Sequence, residues 1–71
     1  MTTLEAIKFS ASVTIGTRIK ANGMILVVKE ISNDAFIGVA EYKGKERKDS
    51  MSLSFATLLN PHYCKDIQIL S

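Results

Sequence analysis

Gly16 to Ile31 reads GTRIKANGMILVVKEI, and this stretch decides the fold. Asn22-Gly23 is a strong signal for a tight hairpin. A two-residue type I′ loop needs positive φ at both central residues, and Asn and Gly tolerate that best. The spacing predicts that TRIK pairs antiparallel with MILVVKEI, an eight-residue segment rich in β-branched residues. Its five consecutive apolar residues, Met24 to Val28, require cover on both faces of the strand. In a short chain that cover comes most easily from a small closed barrel or from a subunit contact.

Working outward, Ser32 to Ala35 (SNDA) is a polar break. Ala35 to Tyr42 (AFIGVAEY) reads as the next strand, with Gly38 marking a bulge or a close backbone approach. Lys43-Gly44 begins a second turn, whose charged body is KGKERKD. Ser50 to Phe55 (SMSLSF) alternates strictly. Met51, Leu53 and Phe55 lie on one face, with Ser50, Ser52 and Ser54 on the other. FATLLN fits one helical turn, which Pro61 halts by driving Asn60 out of the helical region. DIQIL forms the last strand, with Ile67 and Ile69 inward.

The N-terminal segment carries two patterns. Thr2-x-x-Glu5 is a capping box, with Leu4, Ile7 and Ala11 at helical spacing. Against it, Ile7, Phe9, Ala11, Val13 and Ile15 alternate with polar residues, and Ser, Val and Thr are poor helix formers. The alternation is the longer pattern, so we expect a helical turn at most and then a strand. Gly16 would bend that strand so that it serves two parts of a barrel.

The chain has 71 residues, which allows one domain. A domain of this size buries only about 60% of its unfolded surface. Its hydrophobic fraction is 46%, so apolar surface is left over and a homo-oligomer is expected. The single cysteine, Cys64, excludes an intrachain disulfide framework and suits a reducing cytoplasm. No basic, apolar leader is visible, and MILVV is far shorter than the ~20 residues of a membrane span. We therefore expect a cytoplasmic protein with no membrane partner.

The order of hairpin, strand, charged turn, strand, one helical turn and last strand resembles the SH3-like small barrels. The residues that carry this are GTRIKANGMILVVKEI and SFATLLNPHYCKDIQIL, and the likeness runs from about residue 13 to 70. It implies an all-β fold, a five- to six-stranded SH3-like barrel with one short helical turn before the last strand. Barrels of this class bind peptides, nucleic acids and other proteins, so the fold does not choose the function. LEAIKF and SFATLLNPHYCKDIQIL also look slightly similar to the two ends of phage Tad-type anti-defence proteins. That likeness implies a phage-encoded oligomer sequestering a small nucleotide ligand at an interface.

The sequence offers no catalytic set. His62 and Cys64 are two residues apart in a turn, a spacing that rarely makes a nucleophile dyad. A metal needs three or four ligands, and only Asp66 stands near them. The glycines form neither a phosphate loop nor a dinucleotide-binding fingerprint. We expect no enzyme, no cofactor and no metal.

Two surfaces remain. Tyr42 to Lys48 (YKGKERK) holds Lys43, Lys45, Arg47 and Lys48 against one acid, with Arg18 and Lys20 on the first hairpin. An aromatic ring beside cations is the minimal kit for single-stranded nucleic acid or another anionic partner, and it is equally a solvated polar loop. Met24, Phe36, Met51 and Tyr63 cannot all be central in so small a core, so part of this set should form an apolar interaction patch. The expected function is a protein-protein interaction module, an inhibitor or accessory factor. Single-stranded nucleic-acid binding through the basic turn is the alternative, and the ligand-sequestering oligomer a third.

Overall fold

Thr2 starts the chain's first helix by closing a capping box. Its hydroxyl accepts from the Glu5 amide at 3.2 Å, and the Glu5 carboxylate accepts from the Thr2 amide at 3.0 Å. The computed structural model describes residues 2–60 and 67–70. In it α1 runs Thr3–Ala11 and closes at Ser12, whose amide donates to the Phe9 and Ser10 carbonyls. The expected N-terminal strand is therefore a helix. The alternation did not describe one face: Ile7 and Ile15 are about 60% exposed, while Val13 is buried and Ala6 and Phe9 pack on the core. Two orphan amides satisfied at the N-terminus outweigh the weak helix propensity of the serines. Gly16 is likewise no bend in a long strand. It lies at φ +93° in the loop after α1, and its amide donates to the Val28 carbonyl at 2.7 Å.

Five antiparallel strands follow: β1 (Arg18–Ala21), β2 (Met24–Ile31), β3 (Ala35–Tyr42), β4 (Lys45–Ser54) and, after the short helix α2 (Phe55–Leu59), β5 (Gln68–Ile69). The sheet order is β4-β3-β2-β1-β5. Asn22 and Gly23 have φ of 52° and 81°, and Ala21 pairs with Met24 across them, as the hairpin reading requires. Lys43 and Gly44 repeat that geometry, at 52° and 78°, between Tyr42 and Lys45. The second turn is thus only two residues long. The segment expected as its charged body, Lys45 to Asp49, is the first half of β4. Among the described residues no ladder joins β4 to β5, so these two strands are the edges of an open sheet.

Both junctions of β3 carry irregularities. The β2–β3 register shifts at Lys29. Across β3–β4, Val39 pairs with Ser50 but Glu41 with Glu46, so Arg47, Lys48 and Asp49 stand opposite Ala40 alone. Three residues opposite one exceed an ordinary two-residue bulge and interrupt the ladder there.

The core is one-sided. Val13, Ile19, Leu26, Val28, Phe36, Leu53 and Leu58 fill the space between one sheet face and the two helices, with Ile67 and Ile69 half-buried at its margin. Phe36 is its centre, 1% exposed, 4.9 Å edge-on to Phe55 and 6.4 Å from Phe9. Phe55 belongs to α2 and not to the alternating strand, yet its ring still reaches the core from there. Ser54 caps α2 by accepting from the Thr57 amide at 3.2 Å.

Within the apolar run Met24 to Val28, Leu26, Val27 and Val28 are buried, Ile25 is half-buried and Met24 is exposed. Leu26 and Val28 enter the core. Val27, which alternation puts on the opposite face, is also buried. Arg18 stands opposite it in the register, and Arg18 reaches across to Glu41 on β3. Val39 on β3 is the other register neighbour of Val27, so Val27 lies between Val39 and the arginine of this bridge. Among the described residues no helix is long and apolar enough to cross a membrane.

Candidate functional site

Two surfaces have the composition to bind, and they lie on different elements. The first is a groove between α1 and α2. Thr3, Ala6, Ile7 and Ser10 line it from α1, and Phe55, Leu58 and Leu59 from α2, around a volume of about 340 Å³. Of its lining, Ile7 is 60% exposed and Leu59 47%; Leu4, three residues before Ile7 on α1, is also 60% exposed. Helix α1 buries none of its own residues fully. It covers the core through Ala6 and Phe9 and turns Leu4 outward. These leucines and Ile7 are functional candidates that sequence reasoning missed. The signal was the helical spacing of Leu4 and Ile7 after the capping box, which the strand reading set aside.

The second surface is the β3–β4 hairpin. It brings together Tyr42, Lys43, Lys45, Arg47 and Lys48, all exposed. The Tyr42 ring has the Lys43 ammonium 5.3 Å and the Arg47 guanidinium 5.9 Å from its centroid, within cation–π range. Lys20 and Arg18 are elsewhere. They lie on β1, beyond β2 and β3 from this strand. Arg18 is also engaged: its Nε donates to Glu41 Oε1 at 3.0 Å and its Nη2 to Oε2, and this partner raises its pKa further above the ordinary arginine value. Its guanidinium is thus held by Glu41, and its side chain is 37% exposed.

Glu41 and Glu46 face each other across the β3–β4 ladder. Like charges in that position repel. Each carries its own cation: Arg18 for Glu41, and Lys29 at 2.7 Å for Glu46. Lys29, the bulged residue of β2, thus reaches past β3 to β4.

Of the expected apolar patch the structure describes Phe36, Met51 and Met24, which differ in exposure. Phe36 is in the core and is removed from the patch. Met51 is half-buried against the core, and Met24 alone is well exposed, at 54%. Tyr63 lies outside the described residues, as do His62, Cys64 and Asp66. Among the described residues no three His, Cys, Asp or Glu side chains stand close enough to hold a metal ion, and no buried side-chain polar atom lacks a hydrogen-bond partner.

Comparison with known proteins finds no family model, no curated protein and no solved structure that matches this chain.

Proposed function

We propose that this chain is a non-catalytic protein-binding module of the SH3-like small-barrel class, acting as an inhibitor or accessory factor. The class is supported by the strand order, with β1 between β2 and β5, and by a single helical turn between β4 and β5. A barrel left open along the β4 edge, association of copies through leftover apolar surface and a reducing, cytoplasmic setting belong to the same reading.

One observation carries the choice of a protein partner: the α1–α2 groove, whose lining residues Ile7 and Leu59 are exposed. Clustered aliphatic side chains beside a preformed hollow suit the apolar side chains of another protein. The test is affinity capture of partners by the unchanged chain and by an Ile7→Asp, Leu59→Asp variant, each with and without nuclease. Partners should persist after nuclease and disappear with the groove variant. Capture that ends with nuclease, or ignores the variant, refutes this reading.

The Tyr42 cluster favours a second reading, single-stranded nucleic-acid binding. A base stacked on that ring would be worth ~1–3 kcal/mol, and the surrounding cations would make affinity fall with salt. Oligonucleotide binding that is lost with Tyr42→Ala and falls steeply with salt would put nucleic acid first.

A further inference from the structure

β4 is a ten-residue edge strand whose two halves differ. Exposed strand edges invite pairing with other chains, and proteins blunt them with charges, bulges or proline. The first half of β4 has two of these devices, the charges of Lys45 to Asp49 and the three-residue bulge. The second half, Ser50 to Ser54, has neither. It is uncharged, free of proline, and in unbroken register with β3 from Ser50–Val39 to Ser54–Ala35. Among the described residues β3 is its only neighbour in the sheet. On its core face Met51 is half-buried at the margin of the cluster, so a strand laid alongside would continue the core there.

We infer that Ser50–Ser54 accepts an extended acidic peptide as a sixth strand. Backbone hydrogen bonds of such an added strand supply affinity, and alternate side chains supply specificity. Every second residue of the peptide would meet the margin beside Met51 and Leu53, so apolar side chains belong there. Charge complementarity selects the flank. Lys45, Arg47 and Lys48 stand at one end of the receptive segment, where a bulge stops the ladder from continuing; of the two acids among them Glu46 is paired with Lys29, and Asp49 leaves the cations in excess. In an antiparallel strand, that end meets residues C-terminal to the paired segment. The fitting ligand alternates apolar and small polar residues and then ends in acids. This edge is separate from the α1–α2 groove, so its failure leaves the groove reading standing.

The probe is a fluorescein-labelled peptide, Ser-Val-Thr-Val-Thr-Asp-Glu-Asp, titrated against the full chain by anisotropy. Its companions are a form with lysines in place of the acids and two forms N-methylated at one or the other alternate set of amides. The acidic peptide should bind at least tenfold more tightly than the lysine form. At least one N-methylated form should lose tenfold or more. A K45Q/R47Q/K48Q variant, its fold checked by circular dichroism, should bind at least tenfold more weakly. Amide exchange at Ser50 to Ser54 should slow when the peptide is added. No binding at about 1 mM peptide, indifference to N-methylation, or protection elsewhere on the chain overturns the inference. So does protection of these amides without peptide at concentrations where the chain self-associates, because a second copy would then own the edge.

Discussion

Gly38 approaches Val27 so closely that a Cβ on Gly38 would sit 1.8 Å from the Val27 carbonyl oxygen. That oxygen belongs to the backbone of the neighbouring strand, and Lys29, the bulged residue, is next in line at 3.1 Å. No rotamer change can make room. The sheet bends here, and only glycine permits it. Gly38→Ala should therefore destabilise the chain by about 3 kcal/mol, the upper end for overpacking. A thermal melt within two or three degrees of the unchanged protein would refute the close approach, since ~1 kcal/mol moves a domain of this size by ~4–8 °C.

The two hairpin turns share a backbone geometry but not a sequence. Gly23 has open space around it, so Gly23→Val tests its φ of +81° alone. A β-branched residue in the left-handed region should cost more than ~1 kcal/mol. Lys43 pays that conformational penalty in the native chain, at φ 52°. Lys43→Asn places the favoured residue before Gly44 and should stabilise by up to ~1 kcal/mol. Urea unfolding of both variants checks the pair; equal midpoints would deny that the turns are of one type.

Those turns also explain what was legible in the sequence. Asn22-Gly23, Lys43-Gly44 and the alternation of Met51 and Leu53 are local signals, and strands, hairpins and the α2 turn follow from them. The N-terminal helix was misjudged because Ile7 to Ile15 satisfies period two by count, while only packing shows that Ile7 and Ile15 face outward. The charged run after Gly44 looked like a loop because charges are rare in buried strands. β4 is an edge, where charge serves against pairing. The candidate surfaces were least legible. Tyr42 and its cations were found because they are contiguous. The groove was not, because it joins residues some fifty positions apart.

The capping box makes α1 sensitive to acid. Hydrogen bonds from the Thr2 amide and hydroxyl hold the Glu5 carboxyl below its ordinary pKa. A carboxylate with a lowered folded-state pKa gives stability that is present above its unfolded pKa and fades as pH falls through the lowered value. Amide exchange at Glu5 and Ala6 should accelerate relative to that of the sheet between about pH 5 and 3. In Glu5→Gln, which still accepts a hydrogen bond but does not titrate, that relative change should be absent. The same pH dependence in both proteins would show that the box does not hold the helix.

The four charges Arg18, Glu41, Glu46 and Lys29 form a chain across the sheet, but its two ends differ in burial. The Glu41 side chain is 10% exposed, that of Glu46 51%. Removing Lys29 leaves Glu46 facing Glu41 in solvent, where water and salt screen the repulsion. Lys29→Gln should change stability by less than ~1 kcal/mol, and most of that change should vanish at high salt. Removing Arg18 leaves a carboxylate nearly enclosed and without its charge-assisted hydrogen bonds, and takes away the side chain opposite Val27. Arg18→Gln should therefore lower the melting temperature clearly more than Lys29→Gln, and salt should not restore the loss. Adding Glu41→Leu to Arg18→Gln removes the stranded charge and offers Val27 an apolar neighbour. The double variant should recover part of the stability that Arg18→Gln loses. Melts of the single and double variants at low and high salt decide the matter. If Arg18→Gln proves as mild and as salt-sensitive as Lys29→Gln, the bridge is a surface ion pair and Val27 owes its burial to the sheet alone.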